Sequence, residues 1–387
     1  MTFCLRLTYP HFQLKLIVRM TMPRLGLLLR RVFLPLGLFL VFVQVTKMDA
    51  FTNILWPSNV NRSESSSGVN STPIIDHQQR QQPPCFKYLS AGPIRLVINT
   101  TLPTDEELNE LFPHIQMGGH WHPEHCHPRQ RLGIFVPMKR RWHQLPIFLR
   151  HLHQVLVSQW RHYTIFVVEQ ADGDLFNRGK LLNAGVIEAL RIHPDLDCFI
   201  LHDVDTLPET NFAVYKCHED RRFALQMATY QSKRDYLSAY KGYAGGVLAV
   251  RRSQFEDVNG FSNEFWGWGG EDDDFGNRLR NKSYRVYPEL SRGGYFYSLH
   301  HPPEPPNPLR DDIIRKHKSS HLHGEGLDSV KYVVLKSERR RLYTFLSVSI
   351  ILQGPTRDQL AAVGSSSRQE ERKKKRDLEL PTGETAS

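Results

Sequence analysis

The chain has 387 residues, with 40% hydrophobic and 11% aromatic residues and a formal net charge of +10. That composition is enough for a substantial core and excludes a wholly disordered chain. The positive charge is concentrated at the two ends, with the middle near balance, which excludes a general nucleic-acid binder.

The first 47 residues carry seven Lys/Arg and no Asp/Glu. Within them Val32 to Val45 is almost wholly apolar, and Leu25 to Leu29 precede it across Arg30 and Arg31. Fourteen residues alone are short for a span, but with the upstream leucines the stretch reaches membrane length, because arginines near an end can snorkel. No small-x-small cleavage pattern follows, so residues 25–46 are expected to be a signal-anchor, with a cleaved signal peptide as the alternative. Positive charge before the span keeps residues 1–24 cytoplasmic and makes the rest lumenal. Residues 47–84, rich in Ser, Asn, Gln and Pro, read as a disordered stem. Residues 85–350 read as one globular domain, and residues 351–387, with the basic run Arg372 to Arg376, as a disordered tail. Four N-x-[ST] sequons, at Asn61, Asn70, Asn99 and Asn281, suit a lumenal chain. So do four cysteines after the anchor, Cys85, Cys126, Cys198 and Cys217, an even number fit for two disulfides.

Within the domain, Leu132 to Pro137 predicts a buried strand, and the spacing of apolar residues over Trp142 to Gln159 predicts a helix. Thr164 to Val168 predicts a second strand, Asn177 to Ile192 a helix and Cys198 to Leu201 a third strand. This alternation implies an α/β fold with a mostly parallel sheet flanked by helices, with ligands at the carboxyl ends of the strands.

The third strand runs into Asp203-Val204-Asp205. Alternation places both carboxylates on one side, where hard oxygen ligands could hold Mg²⁺ or Mn²⁺ against a diphosphate. His300 and His301 follow the aromatic run Tyr295 to Tyr297 and are candidates for a further ligand. The run Trp266 to Asp274 combines two tryptophans, three glycines and four acids before a helix expected at Phe275 to Arg280. The tryptophans offer faces for sugar rings, the glycines a hinge, and a carboxylate a general base. A plain helix N-terminus accounts for the acids but not for the tryptophans. Lys139, Arg140 and Arg141, and the segment Phe176 to Arg178, sit at two other strand ends and can meet nucleotide or phosphate. His122, His125, Cys126 and His127 superficially look like a zinc set, but their spacing fits neither CxxC nor HxxxH pairs.

These motifs resemble the β-1,4-galactosyltransferases, Golgi type II membrane enzymes with a GT-A nucleotide-sugar-binding fold. The resemblance covers about Cys85 to Ile350 and rests on Met117 to Gly119, Phe176 to Arg178, Asp203 to Asp205, Trp266 to Asp274 and Pro306 to Pro308. It implies transfer of galactose from UDP-galactose, with inversion and Mn²⁺, to the 4-hydroxyl of a terminal sugar, N-acetylglucosamine, on glycoprotein or glycolipid. It implies Asp205 and His300 as metal ligands. Tyr297 stands where the family has methionine, and His301 is a possible substitute. Pro137, Lys139, Arg141, Phe176, Arg178, Val204, Asp205, Tyr243, Trp268 and His300 become donor contacts. Tyr240, Gly269, Gly270, Asp272, Asp273 and Arg310 form the acceptor side. Asp272 becomes the catalytic base, with Glu271 beside it. Asp311 replaces a usual aromatic. The implied disulfides are Cys85–Cys126 and Cys198–Cys217. Tyr243 favours galactose by filling the room an N-acetyl group needs. The alternatives are a UDP-N-acetylgalactosamine-using transferase and an inactive lumenal sugar-binding protein.

Overall fold

The computed structural model describes residues 2–9, 12–19, 83–85, 94–173, 175–320 and 325–350. The chain divides into two units, Met1–Ile74 and Ile75–Ser387. In the first, Thr2–Tyr9 and Phe12–Arg19 pair as an antiparallel hairpin. The expected anchor, nearly all of the stem, Asn61, Asn70 and the basic tail lie outside the described residues. Among the described residues no helix is long and apolar enough to cross a membrane.

The second unit opens on α1 (Asp105–Leu111), whose N-terminus carries a reciprocal capping box between Thr104 and Glu107. Then come β1 (His120–Trp121), β2 (Arg131–Met138), α2 (Leu145–Ser158), β3 (His162–Gln170), α3 (Arg178–Ile192) and β4 (Cys198–His202). The expected β-α-β-α-β order is present, with each element within a few residues of its expected bounds. The Asn177 side chain accepts from Lys180 N at 2.9 Å, which starts α3 and is worth about 1 kcal/mol.

The strands read as continuous apolar runs because both faces are covered. Ile134, Val136, Ile165, Val167 and Ile200 face one core with Phe148, Leu152 and Leu156 of α2. Phe135, Phe166, Val168, Phe199 and Leu201 face a second core with Leu181, Leu182 and Val186 of α3.

The remaining elements are β5 (Thr206–Pro208), β6 (Phe223–Gln226), β7 (Tyr230–Gln231), β8 (Val247–Arg251), α4 (Arg252–Asp257), α5 (Glu271–Asn281), β9 (Arg285–Pro288), β10 (Tyr295–Ser298), α6 (Arg310–Ser320), β11 (Val333–Arg339) and β12 (Thr344–Ser349). The main sheet runs β9-β6-β8-β4-β2-β3-β12-β11, with β1 added on β3. Its centre, β4-β2-β3-β12, is wholly parallel, with Ile134 level with both Ile165 and Ile200. Antiparallel pairs flank it: β8 on β4 and on β6, β11 on β12, and β1 on β3. A second sheet, β5-β10-β7, stands beyond the end of β4. Cys85–Cys126 and Cys198–Cys217 are disulfides, as the resemblance implied. The two sequons within the described residues, Asn99 and Asn281, are exposed.

Candidate active site

Three parallel strands, β2, β3 and β4, deliver their carboxyl ends to one edge. From β4 the chain turns through Asp203 to Asp205 and enters β5. Pairing of β5 with β10 sets Ser298 opposite Thr206, and Leu299 N donates to Asp205 O at 2.7 Å. That pairing carries the next residues of the chain onto the acidic turn. His301 Nε2 lies 3.0 Å from Asp205 Oδ2, Thr206 Oγ1 donates to Asp205 Oδ1 at 2.9 Å, and Lys233 Nζ stands 3.6 Å from Oδ2. Burial disfavours the Asp205 carboxylate, but the His301 bond and Lys233 outweigh it and hold Asp205 well below its usual range. The bond to Asp205 raises His301 in turn. A buried carboxylate faced by an imidazole and an ammonium is a locus for positive charge, so its donor chemistry fits a hard divalent cation. Among the described residues no three such donors converge, so a cation here would draw further oxygens from a ligand.

Asp203 has a different partner. Arg178 Nε donates to Asp203 Oδ1 at 2.8 Å, and Arg178 Nη1 stands 3.8 Å from Glu271 Oε1. Burial opposes the charge on Arg178, yet Asp203 and Glu271 hold it above its ordinary value. Arg178 thus ties the β4 turn to the acidic helix. Its Nη1 is buried and makes no hydrogen bond, a donor left over for an anionic ligand.

The acids lie inside the first turn of α5 rather than ahead of it, four residues earlier than the expected start at Phe275. Gly270, the N-cap, has φ 99°, a left-handed conformation that a side chain would strain, and it lets the helix start directly under the glycine run. The four acids then take separate roles. Asp274 is structural: it accepts from Arg278 Nε at 2.8 Å and meets His317 Nδ1 at 2.9 Å, which binds α5 to α6. Asp273 accepts from the Tyr240 hydroxyl. Burial, then the Asp272 charge, pushes Glu271 up to about 8; burial, then Asp273, pushes Asp272 up to about 6. A carboxylate raised to that value is both ionised and basic near neutral pH, as a general base requires. A Cβ placed on Gly245 would lie 2.4 Å from Asp272 Oδ2 and 2.6 Å from the Tyr243 hydroxyl, so carboxylate and phenol meet over one bare backbone position.

Of the two tryptophans, only Trp268 can serve as a sugar platform. Trp266 is buried in the second core, beneath Lys180. Trp268 is 60% exposed and is held by its backbone, with Trp268 N donating to Pro305 O at 2.8 Å and Asn307 N to Trp268 O at 2.9 Å. The glycine loop is therefore laced to the Pro-rich loop, Pro302 to Pro308, and the Arg310 guanidinium lies 5.8 Å from the Trp268 ring. Exposed Tyr240 lies on the other side of the acids, edge-on to Tyr243 at 5.6 Å.

Residues 84–218 match the N-terminal region of glycosyl transferase group 7, and residues 225–302 match the N-terminal domain of galactosyltransferase. Bovine (Bos taurus) β-1,4-galactosyltransferase 3 is 38% identical over 265 residues, 68% of this chain and 66% of the relative. Mouse (Mus musculus) β-1,4-galactosyltransferase 2 is 35% identical over 300 residues, 76% of this chain and 80% of the relative. The chain belongs to the β-1,4-galactosyltransferase family. Among solved structures, the catalytic domain of Drosophila β-1,4-galactosyltransferase 7 in complex with xylobiose shares 29% identity and a TM-score of 0.50, covering 57% of this chain and 94% of that one. The chain thus spans 66% of the bovine relative's length.

Several positions assigned from the galactosyltransferase resemblance behave differently in the structure. His301, not His300, touches Asp205; His300 is exposed, and its carbonyl accepts from Gln144 Nε2 at 3.2 Å. Tyr297 makes no hydrogen bond to Asp205; its ring lines a cavity with Arg95, Ile98 and Glu209. The two aspartates expected to share a cation are split between Arg178 and His301. The Lys139 ammonium is buried and donates to the carbonyls of Asp172, Gly173 and Leu175, so it shapes the loop that leads to Phe176. Arg141 pairs with Glu304 at 3.2 Å and anchors the Pro-rich loop, while Pro137 lies buried in β2 beside them. Phe176 holds the glycine loop through its carbonyl, which accepts from Gly267 N at 2.8 Å. Val204 is buried in the first core, in a backbone position between the two aspartates. Gly269 and Gly270 both lie against Arg310, and Asp311 is exposed with its carboxylate 3.6 Å from Arg310 Nε.

Sequence reasoning missed Lys233, Arg234 and Gly245. Lys233 reaches Asp205 from a short 3-10 turn, Ser232–Arg234, and the Arg234 guanidinium lies 4.8 Å from the Tyr243 ring. Nothing in the local sequence marks Lys233 or Arg234. Gly245 was visible as part of the run Gly245-Gly246 next to Tyr243.

Proposed function

We propose that this galactosyltransferase moves galactose from UDP-galactose to the 4-hydroxyl of a terminal N-acetylglucosamine, with inversion. The observation that carries the reading is the bridge made by Arg178. Through Asp203 and Glu271, one guanidinium joins the turn that carries Asp205, which His301 contacts, to the helix that carries Asp272. A diphosphate-binding half and an acceptor-activating half thereby share one site. Asp205 and His301 would hold Mn²⁺, which neutralises charge on a diphosphate leaving group when bound. The rest is done by the chain's own residues. Arg178 offers to the donor phosphates its Nη1, which stands 3.8 Å from Glu271 Oε1 and makes no hydrogen bond. Tyr243 crowds the space beside Asp272 and leaves room for a hydroxyl rather than an N-acetyl group. Trp268 and Tyr240 supply the aromatic faces on which sugars pack, and Asp272 takes the proton from the attacking hydroxyl. The lacing of Trp268 to the Pro-rich loop lets both close together over the donor and exclude water.

The N-terminal charge and apolar pattern supports a single-pass type II anchor in the Golgi membrane, with this domain lumenal. The two exposed sequons and the two disulfides support the same placement.

The test is release of UDP with Mn²⁺, either UDP-galactose or UDP-N-acetylgalactosamine, and terminal N-acetylglucosamine, glucose or xylose acceptors. Galactose transfer to N-acetylglucosamine that is lost on chelation, and lost in Asp205→Ala and Asp272→Asn, is the expected result. Tyr243→Leu should gain transfer from UDP-N-acetylgalactosamine. No turnover with any acceptor, alongside retained sugar binding, would replace this reading with that of a sugar-binding protein.

A further inference from the structure

Two side chains leave the Ser232–Arg234 turn for different halves of the site: Lys233 goes to Asp205 and Arg234 to Tyr243. The turn is firmly built. Asp235 N donates to Ser232 O at 3.0 Å, Tyr236 N to Gln231 O at 3.0 Å and Ser298 N to Ser232 Oγ at 2.8 Å. The Tyr236 hydroxyl donates to Glu209 Oε1. Asp235 and Tyr236 have φ of 50° and 58°, left-handed values that residues other than glycine keep only where their surroundings fix them. Arg234 thus starts from a fixed backbone position.

Its guanidinium lies over the Tyr243 ring, 4.8 Å from the ring centre. Nη2 donates to Thr229 O at 3.4 Å, while Nε is buried and makes no hydrogen bond. A buried donor without a partner is costly, so the electron-rich ring face is part of what compensates this cation. Tyr243 is held elsewhere too. Tyr240 meets its ring edge-on at 5.6 Å, and its hydroxyl end rests against the bare backbone of Gly245, beside Asp272.

We propose that Arg234 is a positioning residue for donor choice: it clamps the Tyr243 ring in the space that an N-acetyl group on the donor sugar would need. The inference rests on the reading of Tyr243 given above. Arg234 acts through the ring and not on the reacting atoms. Without the guanidinium one ring face is open, the ring can turn, and the space beside Asp272 admits the larger donor.

The full chain is assayed with Mn²⁺ and either UDP-galactose or UDP-N-acetylgalactosamine, and the readout is the ratio of the two kcat/KM values. Calorimetric dissociation constants for the two donors give a parallel ratio that needs no turnover. Arg234→Met should lower the galactose preference roughly tenfold, the size expected for losing a partly desolvated cation–π contact. Arg234→Lys should restore most of it, because an ammonium can still sit over the ring. Arg234→Met/Tyr243→Leu should show the ratio of Tyr243→Leu alone, because both changes act through one ring. If Tyr243→Leu shifts the preference and Arg234→Met does not, the ring needs no clamp and only the present proposal is overturned. Equal losses with both donors in Arg234→Met, the result of a packing defect or of a direct phosphate contact, overturn it as well. If Tyr243→Leu leaves the preference unchanged, the reading of Tyr243 fails and the clamp with it. If no acceptor is turned over but the binding ratio still falls in Arg234→Met, the transfer reading fails and the clamp stands. Should Arg234→Met fail to fold, Arg234→Gln decides by the same ratio.

Discussion

Gly245→Ala perturbs Asp272 without replacing any charged group. The new Cβ would sit 2.4 Å from Asp272 Oδ2 and 2.6 Å from the Tyr243 hydroxyl, where ordinary contact begins at 3.4 Å. Asp272 must therefore retreat by about 1 Å, or the backbone must move by as much. A misplacement of about 1 Å in a reacting group costs about 10²-fold in rate, or roughly 2.7 kcal/mol. Gly245 lies between β7 and β8 with no left-handed φ, so the substitution adds no backbone strain of its own. The expected outcome is a kcat about 10²-fold down at saturating donor, with the circular dichroism spectrum and Tm close to wild type. In Gly245→Ala/Asp272→Asn the loss should equal that of Asp272→Asn alone, because both act through one carboxylate. A kcat within threefold of wild type, or full additivity in the double variant, would refute the placement of Asp272 at this position.

The pH profile gives a second check. Asp272, pushed up to about 6, must be ionised to accept a proton, so kcat/KM should fall about tenfold per pH unit below about 6, and a limb at the ordinary aspartate value near 4 would contradict this. His317 bears on stability instead. Burial lowers it, but the bonds to Asp274 and Glu264 win and raise it to about 9. Its contribution is therefore fully present below 6.5 and is lost as pH rises through 9, so the Tm of the wild type should drop by several degrees across that window while His317→Gln, already less stable, shows a flatter curve. Arg178→Lys keeps the charge but loses the fork that reaches Asp203 and Glu271; kcat/KM should fall about 10²-fold, and a loss under threefold would remove Arg178 from the site.

The central sheet was legible because its signal is local. Runs such as Ile134 to Val136 and Ile165 to Val168 are apolar on both faces, and only a covered parallel strand uses such a run between helical patterns. The flanking antiparallel strands and the small β5-β10-β7 sheet were not legible. They are two to five residues long for the most part and are specified by partners far along the chain, as in the pairing of Thr206 with Ser298.

The site divides along the same line. The residue pattern alone offered the Asp203 to Asp205 turn, the Trp266 to Asp274 run and the Phe176 to Arg178 segment as candidates, and the family resemblance singled out Asp205, Arg178, Trp268, Tyr243 and Asp272 within and beside them. Neither decided what each group meets. Tertiary structure gave Asp203 to Arg178 and Asp205 to His301, sank Trp266 into the core, turned Lys139 toward backbone carbonyls and brought Lys233 from a separate turn. The physical reason is that residue type fixes what a side chain can do, while the neighbours that tune it arrive through strand pairing and helix packing over long separations, such as the 96 residues between Asp205 and His301 and the 163 between Arg141 and Glu304.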